Sequence, residues 1–197
     1  MTRLYLCRHG ETDLNIKKVY YGFTDVSLNT LGKIHCENVK EKLREVNFDL
    51  VISSPLKRAM ESAEIISPLN RSEIISYEGL REINFGKWEN KHFKDIEKEY
   101  KEEWKLWLED WINFSFPGGE NFKSLYLRVK TCIEDILIDY EGKTILLVAH
   151  EGTLKIIALI FMNMKMEDYW RLTFEFGTYS MFEINEGFGI LKKINCI

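Results

Sequence analysis

Two hydrophobic rhythms alternate along the 197 residues of this chain. Short apolar runs, the pattern of strands buried on both faces, occur at Arg3–Cys7, Phe48–Ser53, Glu73–Tyr77, Lys143–Ala149, Thr178–Ile184 and Gly189–Ile194. Between them, apolar residues recur every three or four positions and predict helices over Thr30–Val46, Lys57–Ile66, Phe93–Asn113, Asn121–Tyr140 and Thr153–Met162. Strand and helix patterns in alternation predict an α/β protein: a three-layer sandwich around a mostly parallel central sheet of about six strands. The last two runs are joined through Asn185-Glu186-Gly187, a hairpin-like turn, so one edge of the sheet is expected to be antiparallel. No repeat, low-complexity tract or linker interrupts the pattern, and residues 1–197 are expected to form one domain.

The stretch at about 90–122 departs from this rhythm, being dense in charge and in aromatic residues. Trp104, Trp107 and Trp111 recur at spacings of three and four and therefore share a helical face. That face either packs its helix onto the sheet or caps a pocket in which the rings meet an organic substrate.

Composition narrows the classes of function. The net charge of −4, with no stripe of basic residues, argues against nucleic acid as a partner. Cys7, Cys36, Cys132 and Cys196 have neither CxxC spacing nor a histidine partner pattern, so they read as reduced thiols, and no metal or cofactor is expected. No apolar run approaches the ~20 residues of a membrane span and no leader pattern precedes the first strand, so a cytoplasmic location with no membrane partner is expected. His35 and His92 lie in polar, helix-like surroundings and are expected at the surface. Oligomeric state is not legible, and a homodimer stays open.

Chemistry concentrates at the strand ends. The first strand delivers Arg8, His9 and Gly10 in succession, and the fourth ends in His150 before a helical pattern. In α/β sheets, ligands bind beyond the carboxyl ends of strands, beside helix N-termini whose free N–H groups attract anions. A neutral imidazole is a competent nucleophile, and a neighbouring guanidinium matches phosphate oxygens in fork geometry. In Ser53-Ser54-Pro55-Leu56-Lys57-Arg58, Ser54 is expected as helix N-cap and Pro55 as the first helical residue. Arg58 then sits in the first turn, where a cation opposes the helix dipole unless an anion lies at that terminus. Glu82, in a loop past the third strand, is placed to donate a proton to a leaving alcohol or, alternatively, to pair with Arg81. Cationic neighbours would lower its pKa and burial would raise it.

Taken together and in order, several segments resemble the histidine phosphatase superfamily, with its phosphoglycerate mutase-like fold. They are Arg8-His9-Gly10-Glu11-Thr12 with Asn15, Tyr21-Gly22-Phe23-Thr24-Asp25-Val26-Ser27-Leu28, Ser53-Ser54-Pro55 with Arg58, Leu80-Arg81-Glu82 with Phe85-Gly86, Pro117-Gly118-Gly119-Glu120, and Val148-Ala149-His150. The resemblance implies His9 as the nucleophile that takes the phosphoryl group, with Arg8, Arg58 and His150 on its oxygens and Glu82 as proton donor. It implies Asn15 on the phosphate side, Phe23 and Thr24 on the substrate side, and a small phosphomonoester as substrate. The run Tyr21–Val26 most resembles the α-ribazole phosphatase branch, which removes the 5′-phosphate of α-ribazole phosphate in cobalamin assembly. A broad-specificity phosphatase, a phosphoglycerate mutase and an inactive phospho-ligand-binding relative are the alternatives. Two positions depart from the family pattern: Glu151 stands where glycine is common, and Lys155 where arginine is frequent. Glu151 is harmless to phosphate if its side chain points outward, and Lys155 is expected to be peripheral.

Overall fold

The structure is a computed structural model describing residues 1–197. The elements follow in order as β1 (Thr2–Arg8), α1 (Asp13–Ile16), β2 (Val19–Tyr20), α2 (Thr30–Leu43), β3 (Leu50–Ser53), α3 (Lys57–Ile66), β4 (Ile75–Ser76) and β5 (Lys91–His92). The second half contributes α4 (Phe93–Glu99), α5 (Lys101–Glu109), α6 (Phe122–Asp139), β6 (Thr144–Ala149), α7 (Glu151–Phe161), β7 (Tyr179–Asn185) and β8 (Phe188–Cys196). Six strands form the central sheet in the order β4-β3-β6-β1-β7-β8. The first four are mutually parallel, whereas β7 runs antiparallel to both β1 and β8. The hairpin turn is Glu186-Gly187, both with positive φ (50° and 78°), as the favoured two-residue turns between twisted strands require.

Period-two alternation along the buried strands divides the core into two faces. Leu4, Leu6, Leu147 and Phe182 point toward α6 and α7, while Cys7, Val51, Leu146 and Val148 pack with buried residues of α2 and α3. Hence the three layers expected from the pattern are present.

Some expected elements are shorter or broken. Of Glu73–Tyr77, only Ile75–Ser76 pairs in the sheet, because Arg71–Glu73 closes a 3₁₀ turn capped by Asn70. The helix expected over Phe93–Asn113 is two, α4 and α5, parted at Tyr100, whose φ of −127° and ψ of 50° are not helical. Ser54 is not an N-cap: helix α3 begins at Lys57 with Leu56 as its N-cap, because the Ser54 side chain is engaged elsewhere. A two-stranded ribbon of β2 and β5 was invisible in the sequence, being two residues long on each side.

The tryptophan face packs first on other rings and through them joins the core that covers the sheet. Trp88, fully buried, collects Trp104, Trp107, Phe114 and Phe116 around it at ring separations of 5.7, 6.5, 5.3 and 5.2 Å. Trp111 instead reaches Trp170 and Phe122. The segment is therefore an aromatic extension of that core, held by burial and by edge-to-face ring pairs.

Candidate active site

Sheet register builds the centre of the site. Arg8 pairs with Ala149, so the next residue of each strand leaves the sheet beside its neighbour, and the rings of His9 and His150 lie 5.1 Å apart. The ladder continues one step further, the His9 N–H donating to Ala149 O at 3.0 Å. The His9 ring donates from Nδ1 to the Gly10 carbonyl at 2.7 Å. A carbonyl can only accept, so Nδ1 carries the proton and Nε2 keeps its lone pair. Burial, and then the charges of Arg58 and Arg8, hold His9 well below the ordinary imidazole value, with the Gly10 bond opposing them. The ring is neutral and nucleophilic.

His150 is fully buried at the N-terminus of α7, its Nε2 2.8 Å from Ser54 Oγ. In the tautomer where the Ser54 hydroxyl donates to Nε2, Nδ1 carries the proton and is free to donate. Burial again comes first in lowering this histidine's pKa, followed by Arg58, His9 and Arg8.

Two guanidiniums flank the pair. Arg58, in the first turn of α3 and 1% exposed, donates from Nη1 to Thr24 O at 2.9 Å and from Nη2 to Gly22 O at 2.7 Å. Arg8 donates from Nη1 to Phe174 O at 3.0 Å and stacks over the Phe176 ring at 3.8 Å. Neither contact uses the Nε–H of either arginine. Only five buried side-chain nitrogens in the chain lack a partner, and three of them are Arg8 Nε, Arg58 Nε and His150 Nδ1. Unpartnered buried donors are costly, about 1–3 kcal/mol each, so three in one place mark where an anionic acceptor belongs.

A cavity of about 330 Å³ is lined by both arginines and His9, together with Asn15, Lys18, Tyr21, Glu82 and Glu151. Asn15 Oδ1 is used by the Thr12 N–H at 2.9 Å and the Tyr21 hydroxyl at 2.7 Å, leaving its NH₂ group for a ligand. Glu82 Oε1 accepts from Ile83 N at 2.9 Å and Oε2 from Gly152 N at 3.1 Å, while Arg81 turns to Glu78. A Cβ at position 152 would collide with Glu82 Oε1, which is why glycine opens α7 there. Burial raises the Glu82 pKa above the carboxyl value of 4.5; its two backbone hydrogen bonds and the arginines oppose this without cancelling it. The protonated form is thereby favoured more than in an ordinary carboxyl.

Against known protein families, residues 4–197 match the histidine phosphatase superfamily (branch 1). The chain belongs to that superfamily. It is 32% identical to the adenosylcobalamin/alpha-ribazole phosphatase of Escherichia coli (strain K12), over 98% of this chain and 95% of that protein. It is 27% identical to phosphoserine phosphatase 1 of Hydrogenobacter thermophilus, over 99% of this chain and 92% of that one. The crystal structure of the alpha-ribazole phosphatase from Shigella flexneri superposes with a TM-score of 0.92 at 31% identity, covering 98% and 96% of the two chains. These likenesses make the protein a hydrolase of the phosphatase class with the phosphoglycerate mutase-like fold. No helix in it is long and apolar enough to cross a membrane.

Within this phosphatase, six of the eight residues singled out in the sequence converge: Arg8, His9, Asn15, Arg58 and Glu82 line the cavity, and His150 abuts His9. Phe23 and Thr24 do not line it. Their loop is folded around the Glu89 carboxylate, which accepts from Gly22 N, Phe23 N, Thr24 N and Phe85 N, while the Phe23 ring faces Arg81. The loop serves the site through the carbonyls of Gly22 and Thr24 that hold Arg58.

Glu89 went unseen in the sequence, as did Arg128. From α6, Arg128 grips Glu120 through Nε and Nη2 at 2.9 and 2.8 Å and donates to the carbonyls of Gly79, Arg81 and Glu82, fixing the backbone that carries Glu82. Glu120 in the Pro117-Gly118-Gly119-Glu120 segment was the available signal, since a buried carboxylate demands a cation. His35 is half-buried rather than fully at the surface: its ring stacks on Phe176, the ring that also meets Arg8 and His9. His92 caps α4, accepting the Lys94 N–H.

The two departures from the family pattern are also placed. Glu151 does not point outward; it meets Arg8 Nη1 at 2.7 Å and Lys155 Nζ at 2.9 Å. Lys155 is not peripheral; it is 6% exposed and lies over the Tyr169 and Trp170 rings at 5.0 and 5.3 Å.

Proposed function

We propose that the protein hydrolyses small phosphomonoesters through a phosphohistidine on His9, and that α-ribazole 5′-phosphate is its substrate. The observation that carries the chemistry is the convergence of three unpartnered buried donors, Arg8 Nε, Arg58 Nε and His150 Nδ1, around a histidine whose Nε2 lone pair is free. Donors fixed before the reaction stabilise charge that spreads over phosphoryl oxygens in the transition state, without reorganising when it forms.

In the first step the His9 Nε2 lone pair forms a bond to phosphorus as the ester P–O bond breaks, and Glu82 gives its proton to the departing alkoxide. In the second, Glu82, now a carboxylate, takes a proton from water as the water oxygen attacks phosphorus. The P–N bond breaks, inorganic phosphate leaves, and both residues are restored. The raised pKa of Glu82 suits the first half and its two backbone donors suit the second.

The substrate reading is supported by the likeness to alpha-ribazole phosphatases and by the aromatic surroundings of the cavity. Beside Glu82 and Phe85 a second hollow of about 210 Å³ is walled by Trp107, Phe122, Tyr169 and Trp170, rings suited to a flat heterocycle. The test is a panel of phosphomonoesters that includes α-ribazole phosphate, with acid-labile phosphohistidine trapped from a generic aryl phosphate. The reading requires that label and its loss in His9→Ala, with α-ribazole phosphate leading the panel in kcat/KM. A labelled enzyme that prefers another ester removes α-ribazole and keeps the phosphatase.

A further inference from the structure

We infer that Glu151, braced by Lys155, is a specificity-determining residue that makes the pocket reject phosphomonoesters carrying a second anionic group close to the ester oxygen. This rests on the proposed phosphatase reading and concerns which alcohols that site accepts.

Glu151 stands on the partition between the phosphate cavity and the aromatic hollow; with Tyr20, Glu82 and Phe85 it lines both. An alcohol leaving the phosphate past Glu82 toward the rings must pass its carboxylate. That carboxylate is held in place from both sides, Oε2 on Arg8 and Oε1 on Lys155, and Lys155 is pinned between Glu151 and two aromatic faces.

The charges then balance. A phosphate dianion takes the two positive charges of Arg8 and Arg58, and Lys155 is matched by Glu151. Burial keeps Glu82 biased toward its neutral form. No cation along this route is left for a carboxylate or second phosphate, which would instead face Glu151. Like charges brought together in a partly desolvated site repel far more than in water. Lys18 is the remaining cation that lines the cavity, and it is exposed, so an anion that reaches it escapes the filter. Neutral and cationic alcohols meet a hydrogen-bond acceptor in the same place. An alcohol such as a neutral riboside passes, and the zwitterion of phosphoserine, with a carboxylate two carbons from its ester oxygen, does not.

The experiment compares kcat/KM for 2-hydroxyethyl phosphate, O-phosphoethanolamine and 2-phosphoglycolate, which share a two-carbon alcohol and differ in charge. The wild-type protein is expected to disfavour 2-phosphoglycolate by about tenfold or more against the other two. Glu151→Gln is expected to raise 2-phosphoglycolate relative to 2-hydroxyethyl phosphate by about the same factor, and Glu151→Gly replaces it if the glutamine variant is insoluble. Three substrates within twofold of one another in the wild type, or a ratio that neither variant moves, overturn the filter. Turnover of an aryl phosphate, abolished by His9→Ala, is measured alongside; its absence would instead overturn the parent reading.

Discussion

The two ends of the cavity are made by different means. At the phosphate end, Arg8, His9 and Arg58 hang from a strand tip or first helical turn and are tied to backbone: His9 to Gly10, Arg58 to Gly22 and Thr24, Arg8 to Phe174. At the alcohol end, the wall is a set of four rings from three separate segments, held by apolar burial and, at Trp170, 57% exposed. Hydrogen-bonded donors in a dry pocket have one useful geometry, whereas ring contacts are non-directional and tolerate exchange. The phosphate end is therefore specialised for the reaction and the alcohol end for the choice of substrate.

The sharpest way to break this division is His9→Ala, which is expected to lower kcat/KM on every phosphomonoester alike, by roughly 10⁶ if it behaves as other catalytic nucleophiles do. A loss confined to one class of ester would move His9 to the specificity side. Next in size is Glu82→Gln, with an expected loss of roughly 10²–10⁴ on alkyl phosphates and little on activated aryl phosphates, whose leaving groups need no proton. The pH profile supplies its sign. Because burial raises the Glu82 pKa, the proton-donating form persists above pH 4.5, and alkyl-ester turnover falls as pH climbs through the raised value. That alkaline limb should vanish in Glu82→Gln.

Stability should follow the histidines. The folded-state values of His9 and His150 lie below 6.5, so an unfolded chain binds these protons first. Their contribution is complete above pH 6.5 and drains away as pH falls below it. Glu82 works the other way, its contribution being present below pH 4.5 and lost as pH rises through its raised pKa. Inorganic phosphate should recover the melting temperature lost near pH 6, since an anion favours protonated rings.

Arg128→Leu tests the support between the two ends. It strands the Glu120 carboxylate, itself about one-fifth exposed, and frees three carbonyls, with an expected destabilisation of about 1.5–3 kcal/mol by thermal melt and a fall in kcat as Glu82 loses its position. The smallest effect is expected for Trp170→Ala: KM should rise about two- to tenfold for esters of aromatic alcohols and stay level for small alkyl phosphates. Equal changes for both would show that the ring is structural and would blur the division.

How much of this was readable beforehand follows the same line. The apolar runs ending in Arg8-His9 and in Ala149-His150 announce parallel strands whose tips share an edge, because burial on both faces leaves few other uses for such runs. The frame of the sheet, Arg58 in the first turn of α3 and the carboxyl of Glu82 were likewise visible as residue types at element ends. Ser54 misled because a serine before a proline at a helix start fits the capping pattern, and only the fold reveals that its hydroxyl is taken by His150. Tyr100 misled for a similar reason, since the three-and-four spacing of Trp104, Trp107 and Trp111 extends back onto Tyr100 itself, where α4 and α5 part.

The order of residues alone determined the apolar runs that make the sheet, the helical faces that cover it, and that two histidines and two arginines lie at the ends of those elements. Tertiary structure alone decided that Glu89 organises the Arg58 loop, that Arg128 holds Glu82, and that Glu151 turns inward to Arg8 and Lys155. Apolar periodicity is a local signal that survives in one dimension. The partner of a buried charge is set by whichever group the packed chain brings within about 3 Å, and that distance exists only once the layers have closed.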